Sequence, residues 1–281
     1  MDAWAAELDL GPSGYRQGMV DSWRGANHAR REDYVAEEMP VVLVYNDKPH
    51  VVMLATPLDL YDFALGFSLT EEIVKAPSEL LSVKVMPRAK GMEVRIRIPE
   101  QRFAELTGKD RNMTGRTGCG LCGAATLEQA VRKPHPVGSG LCLDADVMTA
   151  ALAQMRQKQT LNQLTGSVHA AAWLTPDNGI GTVREDVGRH NALDKLIGTL
   201  ARGGCQFGAG CLLITSRASF EMVQKASVVG ITLMAAMSAP TGLAIKLAQE
   251  CGMTLVGFAR NDNHVIYTYP HRLQHHQTIA S

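Results

Sequence analysis

Apolar residues in the last third of the chain fall into short continuous runs that alternate with longer stretches of helical periodicity. The strand-like runs are AAAWL, GIGTVRED, CLLITS, ITLMAAMSA, TLVGFAR and VIYTY. The helix-like stretches are NALDKLIGTLARGG, FEMVQKASVVG and TGLAIKLAQECG. Strands that alternate with helices of this length are typical of a sheet covered by helices, so the pattern predicts an α/β domain over residues 124–273.

A smaller α+β unit is predicted over residues 36–108. The apolar runs VVLVY and HVVML flank a turn-forming stretch, which predicts a β-hairpin. Thr56 followed by proline predicts the N-cap of a helix that contains LDLYDFALGF. In EVRIRIP, apolar and arginine side chains alternate, as expected for a strand with one exposed face.

The remaining segments are polar. Residues 1–35 show no clear period and predict an N-terminal arm with a frayed end, and residues 274–281 predict a polar tail. Residues 109–123, KDRNMTGRTGCGLCG, lack apolar periodicity and predict a mobile loop with a function. A helix is predicted over AATLEQAVRK, and another from Ala145 to Lys158 with Asp144 as its N-cap.

Composition narrows the classes of function. The 281 residues are 46% hydrophobic, which suffices for a full core. Lys plus Arg total 28 and Asp plus Glu total 28, a balance that argues against a nucleic-acid binder but permits a local basic pocket. No run approaches about 18 apolar residues, so no membrane span is predicted. The N-terminus is unlike a secretory leader, and we expect a cytoplasmic protein.

Polar stretches follow three of the predicted strands, at residues 184–195, 215–225 and 257–264. In α/β sheets, ligands bind where strands end and helices begin. If the three strands run parallel, the three stretches lie on one side of the sheet. The sequence therefore predicts a binding site there.

The first two stretches carry positive side chains at predicted helix starts. Gly188 permits a tight turn between strand and helix, and a helix N-terminus beside Arg189 and His190 is a natural seat for phosphate. Arg217 adds a second positive group at the next junction. We expect Arg189, His190 and Arg217 to bind the phosphates of a ligand, and Lys195 belongs to the same polar stretch as Arg189 and His190.

Cys119 and Cys122 form a CxxC pair with three possible chemistries. A closed zinc site needs four ligands, and the sequence has no second CxxC, so no metal site is predicted. A thioredoxin-like dithiol normally follows a β-strand, and no strand is predicted in the polar loop before Cys119, which argues against this chemistry. A sulfur-carrying thiol must ionise, and the basic residues just upstream would help. The residues themselves leave sulfur carriage and redox shuttling open.

His169 opens the stretch HAAAW, which is similar to the H-x-E signature of zinc deaminases. That chemistry needs a glutamate two residues after the histidine, and Ala171 occupies the position. Deaminase activity is therefore not expected, while His169 stays a candidate pocket residue.

Taken together, these motifs resemble the formate dehydrogenase accessory sulfurtransferase family, FdhD. The resemblance runs from about Val35 to Leu273. It rests on EEMPVVLVYN, TPLDLYDFALGF, TGCGLCG, HAAAW, REDVGRHNALDK, TSRASFEMVQK, SAPTGLAIKLAQECGMTLVGFAR and IYTYPHRL.

The resemblance implies a sulfur carrier that takes sulfur from a cysteine desulfurase. It passes the sulfur, as a persulfide on Cys119 assisted by Cys122, to bis-molybdopterin guanine dinucleotide before this cofactor enters formate dehydrogenase. GDP is expected to mimic the cofactor. The implied cofactor-binding stretch is Phe258, Ala259, Arg260, Asn261, Asp262 and Asn263. If the resemblance holds, we expect the pyrophosphates and the pterin to be held by Arg189, His190, Arg217 and Lys195.

The resemblance also implies a homodimer and a fold class: an α/β, cytidine-deaminase-like three-layer sheet with helices, plus the smaller N-terminal α+β unit. The alternative function is a chaperone that binds the molybdenum cofactor without moving sulfur.

Overall fold

The structure, a computed structural model, describes residues 14–110, 132–177, 179–260 and 262–275, with the backbone alone for residues 109 and 110. The strands are β1 Tyr15–Arg24, β2 Asn27–Ala36, β3 Met39–Tyr45, β4 Lys48–Ala55, β5 Ser82–Arg88, β6 Gly91–Arg97, β7 Leu143–Asp144, β8 His169–Thr175, β9 Gly179–Asp186, β10 Cys211–Ile214, β11 Leu233–Ala236, β12 Thr254–Arg260, β13 Asn263–Thr268 and β14 Leu273–Gln274. The α-helices are α1 Leu60–Thr70, α2 Glu100–Asp110, α3 Ala145–Lys158, α4 Thr160–Thr165, α5 Arg189–Arg202, α6 Phe220–Val228 and α7 Gly242–Cys251.

A six-stranded sheet in the order β13-β12-β11-β10-β8-β9 organises the second half of the chain. β10, β11 and β12 are parallel, whereas β8 is antiparallel to both β10 and β9. β9 therefore runs in the same direction as β10. The carboxyl ends of β9, β10, β11 and β12 lie at one end of the sheet, which we call the carboxyl end.

Helices cover both faces of this sheet, because alternate strand residues point to two separate cores. On one face, side chains such as Leu213 and Val256 pack against Met148 and Leu152 of α3. On the other face, the sheet packs against α5, α6 and α7 and against the N-terminal unit. The predicted α/β class is confirmed, and the likeness to cytidine deaminase stays a prediction.

The N-terminal unit contains a four-stranded sheet in the order β4-β3-β6-β5. The predicted hairpin is confirmed as β3 and β4, joined at Asn46 and Asp47, which both have positive φ. α1 packs against α5 so closely that a Cβ on Gly66 would lie 1.7 Å from the carbonyl oxygen of Asp194. A Cβ on Gly198 would lie 1.9 Å from the carbonyl oxygen of Asp62. Because glycine has no side chain, α1 and α5 can pack this closely, and their contact joins the two units into one core.

Two predictions about the first part of the chain are wrong. Residues 15–36 form the long antiparallel ribbon β1–β2 rather than an irregular arm, while residues 1–13 lie outside the described part. The ribbon buries neither face fully, so its sequence lacks an apolar stripe. Thr56 does not cap α1, which begins at Leu60 after Asp59.

The prediction for α3 is confirmed at both ends. The helix spans Ala145–Lys158, and the carboxylate of Asp144 accepts a hydrogen bond from the backbone N–H of Asp146 at 2.8 Å. None of the described helices is long and apolar enough to cross a membrane.

Candidate functional site

Three polar junctions meet at the carboxyl end of the sheet. β9 ends at Asp186, β10 at Ile214 and β12 at Arg260, and all three strands run in the same direction. The polar stretches that follow them therefore share one side of the molecule, and this prediction is confirmed. An open end of an α/β sheet is where such folds bind ligands.

A buried carboxylate shapes the first junction. Asp186 Oδ1 accepts hydrogen bonds from the Gly188 N–H at 2.7 Å and from Asn191 Nδ2 at 3.0 Å. Asp186 Oδ2 accepts one from the Thr56 N–H at 3.0 Å and lies 2.7 Å from Lys195 Nζ. The carboxylate thus fixes the turn from β9 into α5 and ties it to the N-terminal unit.

Lys195 lies inside the protein rather than at the surface of the candidate site. Its side chain is fully buried, and its ammonium also donates a hydrogen bond to the carbonyl oxygen of Thr56 at 2.9 Å. The expectation that Lys195 contacts a ligand does not fit this burial, because Asp186 and Thr56 already satisfy the ammonium. Sequence spacing alone does not reveal such partners, since Thr56 is 139 positions away in the chain.

Arg189 and His190 begin α5 and face a carboxylate on α6. His190 Nε2 lies 2.9 Å from Glu221 Oε2, and Arg189 Nη2 lies 3.7 Å from the same oxygen. Arg189 Nε and Ser219 Oγ are buried and have no hydrogen-bond partner among the residues that the structure describes. Buried polar groups are normally hydrogen-bonded, so both atoms are suited to contact a bound ligand.

His169 lies near Arg189 and His190. It starts β8 and pairs with Asp186 across the sheet. Burial lowers the pKa of His169, and the charges of Arg189 and His190 lower it further, while Asp186 opposes them. The ring therefore favours its neutral form within a positively charged environment.

Arg217 lies on the loop between β10 and α6 and is exposed. Within the described residues no ion-pair partner contacts its guanidinium, which leaves it available to an anion in solvent. Its neighbours Thr215 and Ser216 begin the same loop after Ile214. The loop thus adds a second positive group at the carboxyl end of the sheet.

The turn between β12 and β13 contains the stretch that the resemblance assigns to the cofactor. Phe258 has a φ of 52° and is 40% exposed, so its ring faces solvent from a strained backbone. Ala259 is fully buried against the α3 core, and Arg260 and Asp262 are exposed. Asn263 pairs with Arg260 in the strand register, whereas Asn261 lies outside the described residues.

A cleft of about 120 Å³ separates this turn from α3. Its α3 side is formed by Thr149, Leu152, Ala153 and Arg156, which share one helix face through their spacing of three and four residues. Its other side includes Arg260 and Asp262. Arg156 and Glu221 are not predictable as site residues from the sequence, because nothing in the spacing of α3 or α6 distinguishes them from other polar helix residues.

A second buried network lies behind the site. Lys225 Nζ, on α6, lies 2.9 Å from Asp194 Oδ2 and 3.1 Å from Glu71 Oε1, and it donates a hydrogen bond to Thr70 Oγ1 at 3.0 Å. Arg132 Nη2 approaches Glu71 Oε2 to 2.8 Å. Burial alone would raise the pKa of Glu71, but Lys225 and Arg132 outweigh it and hold the pKa at about 2.

The CxxC pair, Cys119 and Cys122, and most of the predicted helix AATLEQAVRK lie outside the described residues. The segment 111–131 that contains the two cysteines follows α2 and precedes Arg132. Cys211 begins β10 and is fully buried, as the sequence predicts, and burial raises the pKa of its thiol. Across the described ranges, no group of three or more His, Cys, Asp or Glu is placed to hold a metal ion.

Comparisons with known proteins agree with these features. The sequence model of the FdhD/NarQ family matches residues 36–274. A protein of Cupriavidus necator named sulfur carrier protein FdhD is 49% identical over 276 residues, which cover 98% of this chain and 96% of the relative. A protein of Xanthomonas euvesicatoria pv. vesicatoria with the same name is 48% identical over 250 residues, 89% of each chain.

The fold is similar to one known from crystallography. A crystal structure of a candidate formate dehydrogenase accessory protein from Desulfotalea psychrophila superposes with a TM-score of 0.72. The match covers 92% of this chain and 99% of the other, at 22% sequence identity. At this identity the likeness shows a common fold.

Proposed function

Because the chain belongs to the FdhD/NarQ family, we propose that it is a sulfur carrier for the molybdenum cofactor. In this proposal, Cys119 receives sulfur from a cysteine desulfurase and passes it towards bis-molybdopterin guanine dinucleotide, which then enters formate dehydrogenase. The protein acts in the cytoplasm as a homodimer. Relatives at 48–49% identity that are named sulfur carrier proteins support this assignment.

One structural observation carries the cofactor-binding part of the proposal. Arg189, Arg217 and Arg260, from three separate junctions, all lie at the carboxyl end of one sheet. Arginine binds phosphate through paired N–H groups, so three guanidinium groups at one end suit a ligand with several phosphates. Arg189 Nε and Ser219 Oγ, which have no partner within the described part of the chain, supply further donors there.

The aromatic and acidic groups of the β12–β13 turn suit the guanine end of such a ligand. The exposed ring of Phe258 offers a surface on which a base can stack, and the carboxylate of Asp262 can accept hydrogen bonds from a guanine edge. Lys195 has a supporting role in this proposal: it holds Asp186, and Asp186 holds the turn that presents Arg189.

In this proposal one round of sulfur transfer uses both cysteines, and a thiol reductant then converts the resulting disulfide back to the dithiol. The Cys119 thiolate attacks the terminal sulfur of the desulfurase persulfide, so Cys119 becomes the persulfide and the desulfurase regains its thiolate. The Cys122 thiolate then attacks Cys119 Sγ, which forms a Cys119–Cys122 disulfide and releases hydrosulfide towards the molybdenum. The dithiol supplies the two electrons that convert the carried sulfur to sulfide.

The proposal is tested by intact-protein mass spectrometry after incubation with a cysteine desulfurase and cysteine, followed by peptide mapping. We expect a gain of one sulfur on the peptide that contains Cys119, and its loss after treatment with a reductant. Cys119→Ala should abolish the gain. Cys142→Ala is the matched control, because Cys142 is an exposed thiol outside the CxxC pair.

Two results would contradict sulfur transfer. One is the absence of any gain while the desulfurase loads another acceptor, and the other is a Cys119→Ala variant that still activates formate dehydrogenase. In either case, GDP binding by the protein that was tested, the wild type or Cys119→Ala, would indicate a cofactor chaperone without sulfur transfer.

A further inference from the structure

The cleft between α3 and the β12–β13 turn has an apolar floor and a positively charged rim. Leu152 and Ala259 are buried at its base. Arg156 and Arg260, both exposed, contribute two guanidinium groups, and Asp262 contributes one carboxylate. The charged groups of the cleft therefore sum to one positive charge.

Among the described residues, Arg156 and Arg260 have no ion-pair partner, although other arginines of the chain pair with carboxylates, as Arg102 does with Glu79. Two like charges around one small cleft repel each other, and an anion between them removes that repulsion. The arrangement favours an anionic ligand.

The size of the cleft limits what this anion is. A volume of about 120 Å³ corresponds to roughly four water molecules at liquid density. A single phosphate group fits within this space, and because the cleft is open to solvent, the rest of a larger ligand can lie outside it. The Thr149 hydroxyl, on the same face of α3, is a further donor at the rim.

We propose that Arg156 and Arg260 clamp one phosphate group of a nucleotide ligand in this cleft. Arg156 is then an additional binding residue, supplied by α3 on the sheet face opposite to α5. The inference rests on the proposed function, since the nucleotide is the guanine nucleotide part of the cargo. It extends the ligand from the β12–β13 turn over the end of the sheet onto α3.

The test is calorimetric titration of GDP, guanosine and inorganic phosphate into the full-length protein. We expect Arg156→Ala to weaken GDP binding at least about ten-fold, the loss typical of a charged hydrogen bond, and Arg156→Lys to weaken it less. Guanosine binding should be the same in the wild type and in Arg156→Ala. Arg97→Ala is the matched control, because Arg97 is a half-exposed arginine on β6 whose side chain pairs with Asp47.

An unchanged GDP affinity in Arg156→Ala would overturn the inference while leaving the proposed function intact. Equal affinities of the wild type for GDP and guanosine would also overturn it, because no phosphate would then be recognised. If inorganic phosphate binds as tightly as GDP, the ligand of the cleft is a free phosphate ion rather than a nucleotide, and the inference is overturned. A wild type that loads sulfur but binds no GDP would remove the clamp together with the cofactor-binding part of the proposed function.

Discussion

Lys195 Nζ lies 2.7 Å from Asp186 Oδ2, and neither side chain is exposed to solvent. The pair connects α5 to the end of β9, and Thr56 of the N-terminal unit contacts both members. An ion pair that is fully withdrawn from water persists only if its charges are compensated by further hydrogen bonds. Here the backbone of Thr56 and the side chain of Asn191 provide them.

Replacing Lys195 by methionine should lower the free energy of unfolding by about 3–5 kcal/mol, because the Asp186 carboxylate would remain buried without its cation. Urea unfolding followed by tryptophan fluorescence measures the change. Lys246→Met, at an exposed position on α7, should change stability by less than about 0.5 kcal/mol. Similar losses in the two variants would contradict a stabilising role for the buried pair.

The contact between α1 and α5 should tolerate no side chain at either glycine. Gly66→Ala and Gly198→Ala would each place a Cβ within 2 Å of a backbone carbonyl oxygen, which forces the helices apart. We expect a loss of about 1–3 kcal/mol or more for each variant in thermal or urea unfolding.

Gly108→Ala provides the opposite case within the same chain. Gly108 lies in α2, and a Cβ added there would meet no atom of the described residues within 4 Å, so alanine should stabilise the protein by about 0.5–1 kcal/mol. Gly66→Ala with the stability of the wild type would show that the helices can separate at little cost.

Acid should weaken the network around Glu71. Its pKa is about 2 in the folded protein, against 4.5 for an unperturbed carboxyl group. The ionised form of Glu71 therefore stabilises the folded protein. This stabilisation is fully present above about pH 4.5 and is lost as the pH falls towards 2. The difference corresponds to about 3 kcal/mol at neutral pH.

Unfolding of wild type and Glu71→Gln at a series of pH values tests this dependence. The two proteins should differ most at pH 7, and the difference should shrink below about pH 4.5. Glu250→Gln, on the exposed face of α7, is the control and should follow the wild type. A difference between wild type and Glu71→Gln that is constant with pH would be inconsistent with the ion-pair explanation.

Arg189→Ala should raise the pKa of His169, since it removes one of the positive charges that lower it. NMR titration of the His169 ring measures the shift. Arg217→Ala should leave this pKa unchanged, because Arg217 does not contribute to it, although both variants should weaken GDP binding. A His169 pKa that stays constant in Arg189→Ala would place the two side chains farther apart than in the structure.

Much of the site's framework follows from the sequence. Glycine turns and buried apolar runs predict the strands of the central sheet, and the parallel direction of β9, β10 and β12 then brings the three polar stretches together. Helix α3 and its cap at Asp144 follow from local chemistry alone. These features depend on residues close together in the chain.

Features that depend on distant partners are missed. A lysine at a helix start is normally solvated, and the burial of Lys195 follows only from the position of Thr56 in another unit. The β1–β2 ribbon is held by backbone pairing between polar residues, which leaves no periodic apolar signal. Arg156 becomes part of a cleft only through the turn that faces it.

The ion pair between Arg132 and Glu71 has a consequence for the continuity of the polypeptide. It attaches the chain that follows segment 111–131 to the same unit that precedes the segment, and both units share one apolar core. A single proteolytic cut within 111–131 would therefore yield two fragments that remain associated as a nicked protein. We expect such a protein to elute as one species on gel filtration and to separate only in denaturant.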